Sequence, residues 1–356
     1  MTDQRIKKAF SLLKKNNIDV LLVTDITHVQ YLSGFSGSNG IVVLAPPKAY
    51  FFSDFRYSVQ AQKEVKNCQV IIASRQLITE LPKLTVFRKG ARVGVEADFV
   101  SLNFLEKVKE VLPQVTFRPT TRIVESISVV KDNDEVGKIR KAVRIAEKAL
   151  LDTLKFVKPG IKEKDVSLEL EYKMRKLGAE NASFETIVAS GQRSSMPHGR
   201  ASEKKLRKGD FVTIDFGCLY QGYVSDITRT YVLGKATSKQ KNIYNIVLQA
   251  QKTACKAVKP GLACSRLDGI ARDMIMKAGY GDNFGHGLGH GLGRLVHDGP
   301  SVSSVSNDIL DSGMVITIEP GIYIPNWGGV RIEDDVLVTA NGGQILSKLP
   351  KELIEL

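Results

Sequence analysis

VKPGIKEKDVSLELEYKMRKLGA, residues 157–179, returns about one hundred residues later as VKPGLACSRLDGIARDMIMKAGY, residues 258–280. Each copy opens with Lys-Pro-Gly, which cannot continue a preceding helix, runs on with helical apolar spacing, and ends at a glycine suited to a helix C-terminus. A long helical run precedes the first copy, with Asp132 or Asn133 placed to cap it. Strand-rich segments follow both copies. A repeat on this scale predicts an α+β domain over residues 128–356, built as two related halves with an internal pseudo-twofold and a site between them.

The strands of each half carry paired acids. In GDFVTIDFGCLYQGYVSDITRTYVLG, residues 209–234, two β-rich runs flank Leu219–Gly222. Reading those four residues as a hairpin loop places Asp215 opposite Asp226. In MVITIEPGIYIPNWGGVRIEDDVLVT, residues 314–339, folding about Asn326 places Glu319 opposite Glu333. Side chains facing each other across a strand pair lie about 5 Å apart, so each pair repels and calls for positive charge between its members. The stretch HGLGHGLGRLVHDGP, residues 286–300, holds three of the chain's five histidines, and His198 in SMPHGR adds a fourth. His286 and His290 are spaced as a helical pair, but the intervening glycines favour a strand running close to a crowded site. Four carboxylates and an imidazole suit hard or borderline divalent cations.

The N-terminal part, residues 1–127, reads as a separate α/β domain. Helical spacing marks residues 5–18 and 102–112, and short apolar strands are expected at 19–24, 40–45, 49–54, 68–74 and 91–97. The loop YLSGFSGSNG lacks the GK[ST] ending of a phosphate cradle and reads as a turn, and His28 before it reads as a packed or surface residue. The formal charge of +13 comes from scattered lysines and arginines without a block of like charge, so it describes a solvated surface rather than a nucleic-acid partner. Four dispersed cysteines without a C-x-x-C pair predict reduced thiols and a cytoplasmic protein. No leader and no membrane-spanning run is expected.

The set PHG (197–199), TIDFG, SDITRT, FGHGLGHGLG, VHD, TIEPGIY and GVRIEDD resembles the pita-bread metallopeptidases, in their aminopeptidase P and prolidase branch. THVQYLSGFSGSNG and SDFRY are similar to the creatinase-like N-terminal domain of that branch, so the resemblance covers nearly the whole chain. It implies hydrolysis of the Xaa-Pro bond at the N-terminus of peptides or in Xaa-Pro dipeptides, by a hydroxide bridging two divalent metals. Asp215 matches a chelating ligand of one metal, His290 and Glu319 ligands of the other, and Asp226 and Glu333 the bridging carboxylates. The resemblance also implies that Glu319 acts as the proton shuttle. His198 and His297 match residues that hydrogen-bond the scissile carbonyl and the tetrahedral intermediate, while His286 and Arg331 match the substrate side, Arg331 alternatively standing behind the ligands. Manganese is the expected metal, with cobalt, zinc and iron also suited, and a homodimer is the expected assembly. One departure is Arg294, where the family usually carries an aliphatic residue; it reads as a tolerated surface change or, alternatively, as a change to the pocket that receives residues beyond proline. A catalytically inactive binding protein or a metal-free creatinase-like hydrolase would not be expected to keep all five ligands and both outer histidines.

Overall fold

The structure, a computed structural model, describes residues 2–356. The chain divides into two compact units, Met1–Ser128 and Val129–Leu356.

The N-terminal unit is a six-stranded sheet in the order β4-β3-β2-β1-β5-β6, formed by β1(Val20–Val23), β2(Ile41–Ala45), β3(Lys48–Asp54), β4(Gln69–Ala73), β5(Arg92–Glu96) and β6(Thr116–Thr120). Only β2 runs antiparallel to its neighbours. Successive side chains of β1 point to opposite faces. Leu21 and Val23 accordingly join the core with Ile6, Ala9 and Leu13 of α1(Thr2–Lys15). Val20 and Leu22 face the other core, with Val108 of α4(Leu102–Val111). The helices α2(Ile26–Ser33), α3(Ser58–Glu64) and α5(Glu125–Ser128) complete the unit. The glycine-serine loop begins where α2 stops, at Gly34 with φ +78°. His28 is packed: its Nδ1 lies 2.6 Å from the buried Glu96 carboxylate.

The second unit repeats one plan. In the first half α6(Asn133–Leu154) and α7(Glu163–Lys176) are followed by β7(Asn181–Ala182), β8(Ile187–Ser190), β9(Phe211–Phe216), β10(Cys218–Tyr220), β11(Tyr223–Val224) and β12(Ile227–Val232). In the second half α8(Ser238–Ala257) and α9(Cys264–Lys277) are followed by β13(Gly289–Gly291), β14(Asp298–Val302), β15(Val315–Ile318), β16(Gly321–Ile324), β17(Gly328–Arg331), β18(Asp334–Thr339) and β19(Gly342–Ile345). Reciprocal capping boxes start α6 (Asp132 with Glu135) and α8 (Thr237 with Gln240). The Lys-Pro-Gly turns are equivalent in detail. Gly160 and Gly261 both have positive φ, and their N–H groups donate to the carbonyls of Leu206 and Leu310. Each half keeps its own apolar core, α6 and α7 against Val188, Val212 and Ile214, and α8 and α9 against Ile316, Ile318 and Val336.

The two acidic hairpins differ in register. In the second, Ile318 pairs with Asp334 and Gly321 with Arg331, a register that sets Glu319 opposite Glu333. In the first, the expected opposition of Asp215 and Asp226 is wrong. Tyr220 pairs with Tyr223, so the loop is two residues, Gln221 and Gly222, both at positive φ. That tight turn matches the twist of the strands, and it brings Thr228 opposite Asp215. Asp226 sits two residues from Thr228 and so faces the same side, diagonal to Asp215.

Candidate active site

Both hairpins turn their acids into one cavity of about 580 Å3, in the size range of small-ligand sites. Asp215, Asp226, Glu319, Glu333, His198, His286, His290, His297 and Arg331 all line it. Every site residue expected from the sequence therefore meets in one place.

Asp226, His290 and Glu333 form the tightest group, with ligand atoms within 4.8 Å of one another. His290 Nε2 lies 3.4 Å from Glu319 Oε1 and 3.7 Å from Asp226 Oδ2. Its Nδ1 is 3.0 Å from the carbonyl of Gly291, which leaves Nε2 to face the acids. Asp215 stands apart from this group: its Oδ2 accepts from Arg331 Nη2 at 2.7 Å, while its Oδ1 is buried without a hydrogen-bond partner. A buried carboxylate oxygen left open toward a cluster of like charge fits a cation ligand. The backbone permits this crowding because of glycine. A Cβ on Gly289 would sit 2.1 Å from the Thr317 carbonyl, and one on Gly291 would sit 1.7 Å from that of Gly299.

The electrostatics agree. Burial, then repulsion from Glu333, Asp215 and Glu319, holds the Asp226 carboxyl well above the usual range. Burial and the neighbouring Glu319 and Asp215 do the same to Glu333, against the hydrogen bond it accepts from Thr228 at 2.6 Å. Burial pushes Glu319 up to about 7, although Arg331 pulls it the other way. Burial lowers His290, and partial desolvation with the neighbouring His290 and His198 lowers the more exposed His297.

Such a cluster stabilises the fold only when protonated or neutralised. A carboxyl raised from 4.5 to about 7 costs stability above pH 7 and nothing below its unfolded value, on the order of 3 kcal/mol at most. In chelated protein, Glu319→Gln is expected to melt higher than the parent at pH 8, with the gap closing by pH 5. Equal melting temperatures at pH 8 would contradict this electrostatic account.

The substrate-side residues sit differently from one another. Arg331 is buried and spends its donors on Asp215, Tyr323 Oη, the Pro197 carbonyl and Thr228 Oγ1. His286 has Nδ1 2.7 Å from the Gly287 carbonyl and Nε2 3.0 Å from Tyr323 Oη. Since Tyr323 Oη accepts from Arg331, its own proton is available to His286 Nε2. His297 packs against His290, with ring centroids 4.5 Å apart and planes tilted by 55°. Arg294 lies over the Tyr223 ring at 5.4 Å and is not among the cavity residues.

Sequence reasoning missed Thr228, Tyr323 and the clamp on the histidine loop. Thr228 would have emerged from reading Gln221-Gly222 as a two-residue turn. Tyr323 carries no signal beyond that of a strand aromatic. The clamp is the buried Asp268, which accepts from Leu288 N, and Arg272, which pairs with it and donates to the carbonyls of Phe284 and His286. Their spacing of four residues on α9 reads simply as a helix ion pair.

Comparison with known proteins bears on this geometry. Metallopeptidase family M24 matches residues 137–340, and the creatinase/prolidase N-terminal domain matches residues 5–130. An Xaa-Pro dipeptidase of Pyrococcus horikoshii is 40% identical over 99% of this chain and 99% of its own. The structure of an Xaa-Pro dipeptidase from Bacillus anthracis superposes with a TM-score of 0.97, at 41% identity and 100% coverage of both chains. That of an X-Pro aminopeptidase from Thermotoga maritima gives 0.90 at 38% identity, covering 96% of this chain and 98% of the other. The fold is thus a creatinase-like N-terminal domain followed by a pita-bread catalytic domain, and a family defined by metal-dependent peptide hydrolysis explains why four acids and an imidazole share one cavity. The chain is a metal-dependent peptidase and belongs to metallopeptidase family M24.

Proposed function

We propose that this chain hydrolyses the bond between an N-terminal residue and a following proline, with two divalent cations held by Asp215, Asp226, His290, Glu319 and Glu333. The observation that carries this reading is the convergence of four carboxylates and one neutral imidazole on a cavity whose acids repel one another. Phe184, Ile187, Pro197 and Val296 also line the cavity and offer apolar surface to a prolyl ring, and the names of the Pyrococcus, Bacillus and Thermotoga relatives point to the same bond. Bound cations supply Lewis-acid polarisation and lower the pKa of a water. Glu319, beside His290 and hydrogen-bonded by Thr317 Oγ1 at 3.2 Å, takes up a proton and returns it to the leaving prolyl nitrogen. His297 and His198 donate to the scissile carbonyl as charge develops on it. Arg331 orients Asp215, and His286, with both ring nitrogens engaged, forms part of the substrate wall.

Manganese is the preferred metal in this reading, and the working form is a cytoplasmic homodimer. No helix among the described residues is long and apolar enough to cross a membrane. The deciding assay compares Ala-Pro-Ala with Ala-Ala-Ala after loading with manganese, cobalt or zinc. Release of alanine from the proline peptide alone is expected, and equal release from both would refute the assignment.

A further inference from the structure

We infer that the substrate continues beyond proline: the site takes peptides of the form Xaa-Pro-Yaa and longer, and disfavours free Xaa-Pro dipeptides. This rests on the Xaa-Pro reading above and decides between its two branches. The two substrates differ in one group. A dipeptide places an anionic carboxylate about 3.5 Å, one extended residue, past the scissile nitrogen, where a longer peptide has a neutral amide. A carboxylate drawn into a cavity needs a cation or several donors there, and an amide needs only ordinary hydrogen-bonding groups.

The charge inventory of the cavity favours the amide. Two cationic side chains line it, Arg200 and Arg331. Arg331 is buried, and Asp215 holds its Nη2 while Tyr323 and Thr228 take Nη1 and Nε. Arg200 is 78% exposed on the rim, where it pairs with Glu185 at 2.9 Å, so it offers a screened surface charge rather than a cation inside the cavity. The one buried guanidinium of the cavity, Arg331, is thus committed to other groups. The remaining polar groups on the wall that carries His297 are the neutral hydroxyls of Ser301 and Ser303, 3.3 Å apart. The segment that presents Ser301 is β14, which ends its sheet and pairs with β13 alone. An extended peptide leaving the proline subsite can run past this sheet edge, meeting neutral hydroxyls. Ser301 is also exposed, so a longer side chain can be placed there without repacking a core.

The test is steady-state kinetics of the manganese-loaded enzyme on Ala-Pro, Ala-Pro-NH2 and Ala-Pro-Ala, with Ala-Ala-Ala as control. The amide is the critical arm, because it removes the charge and adds no residue. Both Ala-Pro-NH2 and Ala-Pro-Ala are expected to exceed Ala-Pro in kcat/KM by about tenfold or more, mostly through KM. Ser301→Arg supplies the missing cation and is expected to narrow that ratio severalfold by improving Ala-Pro. A kcat/KM on Ala-Pro equal to or above that on Ala-Pro-NH2 would overturn the inference and leave the Xaa-Pro assignment standing. Turnover of Ala-Ala-Ala without turnover of any proline substrate would overturn both.

Discussion

Asp226→Asn is expected to lose bound metal and activity together while the fold survives. Asp226 is 5% exposed and faces Glu333, Asp215 and Glu319, all of one sign. In the proposed role, a carboxylate shared between two cations, it would contribute charge to both at once, so an isosteric amide would weaken both sites. Turnover should fall by well over about a hundredfold, the upper range seen when groups merely supporting a ligand are removed. The fold should not suffer, because an amide relieves repulsion in the metal-free cluster and the backbone N–H of residue 226 still donates to Asp335 at 3.1 Å. Metal analysis and thermal melting of the same preparation give both readings. Normal metal content in the Asn variant would contradict the bridging role.

The second large effect separates two neighbouring histidines. His290 puts Nε2 against Glu319 and Asp226, so His290→Ala should release metal and abolish turnover. His297 touches the His290 ring but no acid of the cluster, and partial desolvation beside His290 and His198 lowers its imidazole pKa, favouring the form with a single N–H to donate. Loss of one such donor costs about 3 kcal/mol of transition-state stabilisation, roughly a hundredfold or more in kcat. His297→Ala should therefore retain its metals and lose most of its turnover. A metal-depleted His297→Ala, or one nearly as active as the parent, would refute this division of labour.

Much of this arrangement was legible before any coordinates. The Lys-Pro-Gly repeat announced two halves because proline and positive-φ glycine end helices wherever they fall. The second hairpin could be folded on paper because its strands pair symmetrically about Asn326. The first was misread because its turn puts Gln221, a residue with a side chain, at φ +49°, a conformation sequence alone seldom assigns to glutamine. Charges paired over long separations were not legible at all. Arg229 reads as one of many surface cations, yet it is 1% exposed, bonded to Asp334 at 2.7 Å and to the carbonyl of Thr228 at 2.9 Å. Asp334 is further held by Lys351 and Gln251, so part of the basic excess is internal structure that fixes the strands behind Glu333. The link from Asp215 through Arg331 and Tyr323 to His286 contains one step, Asp215 to Arg331, of 116 positions, and only the assembled sheets bring these residues together.

The most direct test of the account is a titration of chelated protein with manganese, following Ala-Pro-Ala hydrolysis against metal bound per chain. Activity absent at the start and rising to a plateau as two equivalents bind is the predicted result. Full activity in protein shown to be free of metal would contradict it.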